Sequence, residues 1–360
     1  MPFERLRFFN FRNLKDGELA LGAPEVFLVG ENGQGKTNLI EAVHLLCLGS
    51  SFREKREAAF PRDCGLPMGL HGRYMADQAG EKDFSLQCLP GRKKELRVND
   101  KALSDRRELL ADVLCVCFVQ QDMEFVTGAP EERRRFFDQT LAFSDFSFLD
   151  SLRAYRQVLR SRNFCLKSRQ GGLLDAYDEQ LASLGLELQE KRLALVNGFN
   201  EVFSPLFREI TEEEQTVEIR YVPSWHQLGT REDVLSRLAA SRGRDLALGT
   251  TTSGPHRDAY SYILGGRDYS HFASTGQLRL CALALRIAQA RFLTGRSGRK
   301  PVLLLDDVLL ELDQAKKKAF VARFPQYEQA FFTFLPDEAY SSFATPDTLV
   351  LKVQGGEFYR

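Results

Sequence analysis

The stretch GENGQGKT, from Gly30 to Thr37, fits the pattern GxxxxGK[ST] at every fixed position. It follows the compact apolar segment Glu25 to Val29, which predicts a strand, and precedes a helical spacing of apolar residues that begins at Lys36. A strand, a glycine-rich loop and a helix in this order bind phosphate, because glycines let backbone N–H groups converge and the helix N-terminus adds positive potential. The stretch therefore predicts a P-loop.

The predicted P-loop assigns roles to particular side chains. Lys36 would reach the β- and γ-phosphates of ATP, and Thr37 would ligate Mg²⁺. ATP and Mg²⁺ are therefore the expected ligands. The residues of this stretch that we expect to contact the nucleotide are Gly30, Glu31, Asn32, Gly33, Gln34, Gly35, Lys36, Thr37 and Asn38.

A second apolar run, Val302 to Leu305, ends in two carboxylates, Asp306 and Asp307. This is the form of a Walker B segment, in which the first carboxylate supports Mg²⁺ and the second orients the attacking water. Strands that end in acidic residues are common. The pairing with the P-loop is what makes Asp306 the predicted metal ligand and Asp307, with Lys36, a predicted catalytic residue.

A small motif, Ser274 to Gln277, opens an amphipathic helix before the Walker B segment. Ser274 can act there as a helix N-cap, which explains it structurally. The same hydroxyl and free N–H groups also make an anion site for a nucleotide bound to another subunit. A helix-start motif shortly before Walker B and far from Walker A is the arrangement of ABC-type ATPases, in which two heads sandwich two ATP molecules. We therefore expect an ATP-dependent homodimer in which Ser274, Gly276 and Gln277 act across the interface.

Long charged helices separate the two parts of this pattern. One apolar stripe is followed by a break at Gly171 and Gly172, and a second stripe then repeats at alternating spacings of three and four. We predict a helical hairpin from these stripes. Their members are Leu149, Leu152, Tyr155 and Leu159 before the break, and Leu174, Tyr177, Leu181, Leu184 and Leu188 after it.

The predicted fold class is α/β. We expect an ABC-type P-loop ATPase head, with a mixed sheet and a β subdomain, interrupted by an inserted helical-hairpin arm. The expected segments are 1–125 for the first part of the head with Walker A, 126–245 for the arm, and 246–360 for the second part with the signature motif and Walker B.

Charge and hydropathy narrow the function further. The formal net charge is +0, so any nucleic-acid surface must come from local clustering. Arg153, Arg156 and Arg160 lie on one helical stripe and are the DNA-binding candidates, although a solvated helix face explains them equally well. Further basic residues accompany them along this region, namely Arg133, Arg134, Arg135, Arg162, Lys167 and Arg169. No apolar run is long enough to span a membrane and no secretory signal opens the chain, so we expect a cytoplasmic protein without a membrane partner.

Five motifs spread along the chain occur together. They are Phe11-Arg12-Asn13-Leu14, GENGQGKTN from Gly30 to Asn38, Ser51-Phe52-Arg53, Gly254-Pro255-His256-Arg257-Asp258, and LLLDDVLLELD ending at Asp313. With these motifs the chain resembles, from end to end, the RecF family of bacterial recombinational repair proteins. This family is similar to the heads of the structural-maintenance-of-chromosomes proteins, with a short helical arm in place of a long coiled coil.

The resemblance implies ATP-driven dimerisation on DNA and a weak, DNA-stimulated ATPase. It also implies cooperation with RecO and RecR, and loading of RecA at gapped duplex and single-stranded/duplex junctions during DNA damage repair, replication and the SOS response. Carried over by motif, Arg12 and Asn13 lie near the phosphates, Asp313 occupies the D-loop position, and Gln120 or Gln121 is the Q-loop glutamine.

Two positions depart from the family pattern, and one has no assigned role. Leu310 stands where the D-loop usually has a serine, which puts communication between paired sites in question, and Ala273 stands where leucine commonly precedes the signature serine. His256 lies among turn-forming residues, where a structural histidine is favoured over a catalytic base.

Two other functions use parts of the same pattern. The ATPase subunit of an ABC transporter shares the three motifs in the same order, but the long insertion between Asn38 and Ser274 does not fit such a compact subunit. A small-molecule kinase would use the P-loop alone and would need neither the signature motif nor the arm.

Overall fold

The computed structural model describes residues 3–54, 56–76, 80–105, 107–169, 171–211, 215–310 and 314–360. The chain divides into two compact units. Unit 1 combines Met1–Gln121 with Gly298–Arg360, and unit 2 is Asp122–Ser297.

The regular elements are given in chain order. The strands are β1 (Phe3–Phe9), β2 (Gly17–Ala20), β3 (Glu25–Val29), β4 (Met68–Ala76), β5 (Gly80–Cys88), β6 (Glu95–Val98), β7 (Lys101–Ala102), β8 (Cys115–Phe118), β9 (Glu218–Val222), β10 (Ala259–Leu264), β11 (Arg267–Asp268), β12 (Val302–Leu305), β13 (Gln329–Phe334), β14 (Thr348–Gln354) and β15 (Glu357–Tyr359). The helices are α1 (Lys36–Leu48), α2 (Arg107–Asp112), α3 (Glu124–Thr127), α4 (Pro130–Ser144), α5 (Phe146–Lys167), α6 (Leu174–Thr211), α7 (Arg231–Leu248), α8 (Thr275–Ser297) and α9 (Gln314–Val321).

Unit 1 contains two sheets with α1 packed against strands of both. The first has the antiparallel order β2-β1-β4-β5-β6-β7, and the second has the order β15-β14-β3-β13-β12-β8, parallel except for β15. Strands β3, β12 and β13 are almost continuously apolar and buried, as expected for parallel strands covered on both faces. Because β3 and β12 run in the same direction with only β13 between them, the P-loop and Asp306 lie at the same edge of this sheet.

Strand β1 ends earlier than a purely apolar pattern suggests. The sequence favours a strand up to Phe11, but Asn10 adopts a left-handed backbone with φ 50°. Its side-chain amide donates to the carbonyl oxygens of Asp63, Leu66 and Pro67, at 2.9, 3.2 and 3.1 Å. These bonds turn the chain at Asn10 and terminate the strand.

Unit 2 is mainly helical, with the small antiparallel sheet β11-β10-β9. Helices α5 and α6 pack along each other and are joined through a short 3-10 turn at Gly171–Leu173, so the predicted hairpin is confirmed. Helix α6 is 38 residues long and also contacts α7 and α8. Among the described helices, none combines the length and the apolar character that a bilayer crossing requires.

The compact units differ from the segments expected from the sequence. The first boundary falls at Gln121, close to the expected residue 125, but the stretch from 246 to 297 belongs to unit 2. The reason is packing, because α8 contacts α4 and α6, and β10 pairs with β9. The signature motif therefore lies in the same compact unit as the helical hairpin.

Candidate active site

The P-loop begins where β3 meets a tightly packed turn. The Gly30 N–H donates to the Phe334 carbonyl at 3.1 Å, and a Cβ built on Gly30 would lie only 2.3 Å from the carbonyl oxygen of Val353. At the other end of the loop, Gly35 has φ 119° and precedes the first residue of α1. Glycine is therefore required at Gly30 by close approach and at Gly35 by backbone conformation.

Lys36 is buried within the loop that it follows. Its ammonium group donates to the carbonyl oxygens of Gly30 at 2.6 Å and Glu31 at 3.0 Å. This places a positive charge beside the free N–H groups at the start of α1, where phosphate is attracted. A cavity of about 280 Å³ opens at this point, and its lining residues are Asn32, Gly33, Gly35, Lys36, Thr37, Asn38, Arg53 and Asp307.

The Walker A threonine and the first Walker B carboxylate are in direct contact. Thr37 Oγ1 donates to Asp306 Oδ1 at 2.8 Å. Burial, together with the neighbouring charge of Asp307, raises the pKa of Asp306 to about 6. A hydroxyl and a carboxylate oxygen side by side form the oxygen donor set that Mg²⁺ prefers, so these residues fit the metal.

Asp307 has a strained backbone beside the same cavity. Its φ is 54°, in the left-handed region that non-glycine residues seldom adopt. Its N–H donates to Thr333 Oγ1 at 2.8 Å, and the Thr333 hydroxyl donates to Asp307 Oδ1 at 2.8 Å. Thr333 thus fixes both the main chain and the carboxylate that lines the cavity.

Glu41, which the motif search did not single out, anchors two arginines near the P-loop. It is completely buried in α1, and its oxygens accept from Arg12 at 2.9 and 2.8 Å, from Ser51 at 2.6 Å and from Arg53 at 3.0 Å. Burial opposes ionisation of Glu41, but the hydrogen bonds from Arg12, Arg53 and Ser51 outweigh it and lower its pKa. An acidic residue inside the apolar run LIEAV was the available sequence signal, since a buried charge needs partners.

The FRN and SFR motifs meet beside the loop. Asn13 Nδ2 donates to the Gly33 carbonyl at 2.9 Å, and Asn38 Nδ2 donates to Asn13 Oδ1 at 2.5 Å. The Arg53 guanidinium also donates to the Asn38 side chain. A second cavity of about 750 Å³ adjoins these groups, and its lining residues are Arg12, Asn13, Asn38, Arg53, Glu54, Pro61 and Arg62. The structure places Asn13 beside the loop, and its expected position near the phosphates stays a prediction, whereas no role for Arg53 could be read from the sequence.

The signature residues lie in unit 2 at the start of α8. Ser274 N–H donates to Gln277 Oε1 at 2.9 Å, and Gln277 N–H donates to Ser274 Oγ at 3.3 Å. This reciprocal pair is a capping box. Ser274 is therefore an N-cap, and both side chains are held at an exposed helix tip.

The remaining motif residues differ in how far the structure describes them. Gln120 and Gln121 are both exposed in a short turn after β8, so the choice of Q-loop glutamine stays open. Leu310 lies half-buried in a turn after Walker B. Asp313, the predicted D-loop residue, lies outside the described residues.

Comparison with known proteins places this site in a family. A model of the AAA domain matches residues 5–73. The chain is 38% identical to the DNA replication and repair protein RecF of Treponema pallidum, over 96% of this chain and 98% of that protein. It is 30% identical to RecF of Acetivibrio thermocellus over 100% of both chains. The chain belongs to the RecF family of DNA replication and repair proteins.

Solved structures agree with this assignment. A structure of the recombination mediator protein RecF-ATP in the RecFOR pathway matches with TM-score 0.89 and 28% identity, over 99% of this chain and 97% of that chain. The Smc head domain of Pyrococcus furiosus bound to the C-terminal domain of ScpA matches with TM-score 0.57 and 16% identity, over 99% and 95%, and shows the fold alone. The predicted ABC-type head is confirmed, and the transporter alternative is set aside.

The arm arginines of this RecF-family chain fall into exposed and buried groups. Arg153, Arg156 and Arg160 are exposed, with Arg153 3.9 Å from Asp150 and Arg156 3.6 Å from Asp138. Arg162, counted from the sequence among the basic residues of this region, is instead fully buried. Its guanidinium pairs with Asp178 at 2.6 Å and Asp245 at 2.8 Å, as a charge removed from water requires.

Two other expected basic residues also act inside unit 2. Arg133 donates to the Tyr260 carbonyl at 3.0 Å, and Arg134 donates to the Asp258 carbonyl at 2.6 Å. The arginine count of this region therefore overstates its exposed positive charge.

The GPHRD motif of the RecF-family chain is architectural. The buried Asp258 accepts from Arg192 and Gln189 at 2.8 Å each and from the Ser224 N–H at 2.7 Å. His256 Nδ1 lies 2.8 Å from the Tyr155 hydroxyl, and Nε2 lies 3.0 Å from the Thr251 carbonyl. Burial lowers the pKa of His256 to about 4, so the ring is neutral near pH 7. These are the contacts of a structural histidine.

Proposed function

We propose that this protein is a weak, DNA-stimulated ATPase that binds ATP with Mg²⁺ at the P-loop of unit 1. The observation that carries the proposal is the contact between Thr37 and Asp306 beside the Lys36 ammonium. Thr37 and Asp306 would hold Mg²⁺, which neutralises phosphate charge when bound. Lys36 and the loop N–H groups would bind the phosphates, and Asp307, fixed by Thr333, would orient the attacking water.

We further propose that two copies close around two nucleotides. Ser274 accepts a hydrogen bond from its own helix, which leaves its hydroxyl proton available to a γ-phosphate on the partner copy. A Cβ built on Gly276 would meet no atom of the described chain within 4 Å, so internal packing does not require glycine there. A phosphate of the partner copy's nucleotide that approaches this helix start would require glycine at position 276.

The biological role follows from the family. We propose that the protein acts in recombinational repair and replication-fork maintenance, with RecO and RecR, and helps to load RecA at gapped DNA. A cytoplasmic location is part of this proposal. The relatives named DNA replication and repair proteins support it, as does the recombination mediator RecF of the RecFOR pathway among the structural matches.

DNA would bind along the exposed face of α5 through Arg153, Arg156 and Arg160. Arginines spaced three and four apart share one helix face and can reach successive phosphates. Such contacts carry little sequence specificity and weaken steeply with salt.

Sedimentation tests the dimer. ATP with Mg²⁺ should convert monomer to dimer, and both Lys36→Arg and Ser274→Arg should abolish the conversion. Ser183→Arg, at an exposed serine of α6, serves as the control and should dimerise normally. A wild-type protein that stays monomeric with ATP and Mg²⁺ would remove the sandwich mechanism.

DNA binding is tested separately. Replacing Arg153, Arg156 and Arg160 together with glutamine should weaken binding and reduce the salt slope by about one per lost phosphate contact, while ATP binding is kept. A matched triple replacement of the exposed arginines of α7, Arg231, Arg237 and Arg244, should have little effect. Equal behaviour of the two triple variants would rule out the α5 face.

A further inference from the structure

The closed end of the α5–α6 hairpin carries an aromatic groove that the proposed ATPase cycle does not use. Its volume is about 340 Å³. Phe164 is 65% exposed, which makes it the most exposed of the large apolar side chains that the structure describes. The groove is lined by Arg160, Ser161, Phe164, Cys165, Leu173 and Tyr177.

The base of the groove is firmly packed. Cys165, Leu166 and Leu174 form a small buried cluster, and Tyr177 packs against it. Phe164 and Leu173 are exposed beside this cluster and are not part of it. The groove is therefore a preformed surface feature in which an aromatic ring remains exposed to solvent.

Positive charge lies on the α5 side of the groove. Arg160 lies one helical turn before Phe164, is exposed, and forms no ion pair with any described residue. Arg153, Arg156, Arg160 and Phe164 follow one another at spacings of three, four and four, so they share one face of α5. The basic stripe proposed for phosphate contacts therefore leads directly to the exposed ring.

Nearby acidic groups are paired with arginines other than Arg160. At the start of α6, Asp175 and Asp178 both pair with Arg242, and Asp178 also pairs with Arg162, which in turn pairs with Asp245. Arg160 remains the unpaired cation among the residues that line the groove, which favours an anionic ligand beside Phe164.

An aromatic surface beside an unpaired cation, at the end of a row of exposed arginines, is the combination that binds single-stranded nucleic acid. Phosphates follow the cations, and a base stacks on the ring whatever its identity. An intact duplex keeps its bases stacked on each other and offers no free face to Phe164. We propose that the closed end of the hairpin binds an unpaired base of single-stranded DNA, with the base against Phe164 and the adjacent phosphate at Arg160.

This inference rests on the proposed function, because it extends the DNA face of α5. It adds a physical basis for choosing gapped over intact DNA. Along the helix only the phosphates are contacted, which duplex and single strand share. At the tip, a base that has no partner is required.

Titrations with oligothymidylate and with a blunt duplex test the inference. Phe164→Ala and Phe164→Leu should each lower the affinity for oligothymidylate about tenfold, because stacking requires the ring. The affinity for the duplex should not change. Leu193→Ala, at an exposed leucine of α6, is the control and should bind both DNAs as the wild type does.

A tryptophan placed at the tip gives a direct signal. The chain has one tryptophan, Trp225, which is buried in unit 2 and supplies a constant background. The fluorescence of Phe164→Trp should be quenched by oligothymidylate and not by the duplex. Unchanged Trp225 fluorescence and ATP binding in the Ala and Leu variants would show that they fold normally.

The outcomes separate this inference from the proposal on which it rests. If Phe164→Leu keeps wild-type affinity while Phe164→Ala loses it, the tip binds an apolar group without stacking and the inference is overturned. If both variants bind oligothymidylate normally while the triple arginine variant does not, the inference fails and the α5 face survives. If the Phe164 variants lose affinity but the arginine variant does not, stacking on Phe164 stands, whereas the α5 phosphate face and the phosphate contact at Arg160 are both overturned.

Discussion

Two buried carboxylates, Glu41 in unit 1 and Asp258 in unit 2, pair with arginine side chains, but these arginines differ in how far they are exposed. Glu41 binds Arg12 and Arg53, whose side chains are 18% and 30% exposed and line open cavities. Asp258 binds Arg192, whose side chain is 2% exposed. In unit 1, the arginines paired with Glu41 thus face a cavity. In unit 2, the arginine paired with Asp258 is buried in the core.

The partners of the two arginine sets explain this difference. Arg192 donates to both oxygens of Asp138, at 3.0 and 3.1 Å, and to the Pro255 carbonyl at 2.7 Å, besides Asp258. Burial opposes its charge, but Asp138 and the other anionic neighbours raise its pKa above the ordinary value. A cation this fully paired has no capacity left for a ligand. Arg12 and Arg53, both anchored on one buried acid, are held in place while part of each side chain still faces solvent.

We call Asp258, Arg192 and Asp138 the closed network, and Glu41, Arg12 and Arg53 the open network. The largest effect is expected from breaking the closed network. Asp258→Asn should lower the free energy of unfolding of unit 2 by about 3–5 kcal/mol, because it leaves Arg192 buried with one carboxylate instead of two. Urea unfolding followed by Trp225 fluorescence measures this. Asp175→Asn removes an exposed partner of Arg242 and should cost less than about 1 kcal/mol. Equal stability of these two variants would refute the distinction between closed and open networks.

A substitution in the open network should change the affinity for ATP and leave the free energy of unfolding nearly unchanged. Arg53→Gln should weaken ATP binding by about tenfold to a hundredfold, the worth of a charge-assisted hydrogen bond. Unfolding should change little, because Glu41 keeps Arg12 and Ser51 as partners. Calorimetric titration with ATP and Mg²⁺ measures the affinity, and Arg56→Gln, at a neighbouring exposed arginine, is the control. A stability loss as large as that of Asp258→Asn would show that both networks are architectural.

The P-loop site beside the open network was largely predictable from sequence, because the residues that indicate it are close together in the chain. Strand β3, the glycines and α1 follow one another without a gap, and the strand before Asp306 is a short apolar run. The helical hairpin was equally readable, since its apolar stripes repeat within single helices. These patterns need no knowledge of distant partners.

The closed network was not predictable, because its members are distant in sequence. Asp258 is paired with Arg192 and bonded to the Ser224 N–H through the fold of unit 2. The sequence offered only the short GPHRD motif and an arginine-rich stretch. That stretch indicated an exposed basic surface, but one of its arginines, Arg162, is buried and paired with Asp178. Strand β4 escaped prediction for a related reason, since Gly69 and Gly72 interrupt its alternation and β1 and β5 hold it in place.

A smaller effect should appear in the pH dependence of nucleotide binding. Asp306 has a pKa of about 6, so at pH 5 most molecules carry a protonated carboxyl that holds Mg²⁺ poorly. Affinity for ATP with Mg²⁺ should fall about tenfold between pH 7 and pH 5, the change expected for one proton bound about one pH unit below its pKa.

Asp306→Asn isolates this titration. The variant should bind ATP with Mg²⁺ weakly at both pH values. Its remaining pH dependence then measures the protonation of ATP itself. If wild type and Asp306→Asn show the same dependence on pH, Asp306 is not the titrating ligand. Asp258, inside the closed network, should have no such influence on ATP.

The smallest effect concerns His256 next to the closed network, and its sign is fixed by the depressed pKa. Below about pH 6.5 the unfolded chain binds a proton that the folded ring, with a pKa of about 4, does not. Stability contributed by neutral His256 should therefore be lost as pH falls from 6.5 towards 4, by about 1 kcal/mol at pH 5.5. The physical cause is burial, which disfavours the charged ring, and a protonated Nδ1 could also no longer accept from the Tyr155 hydroxyl. Unfolding followed by Trp225 fluorescence at pH 7 and 5.5 should show this loss in the wild type and not in His256→Asn, whereas His226→Asn, at an exposed histidine, should retain it. An identical pH dependence in all three proteins would mean that the GPHRD loop accommodates the charged ring, and the network around Asp258 would then be open like that around Glu41.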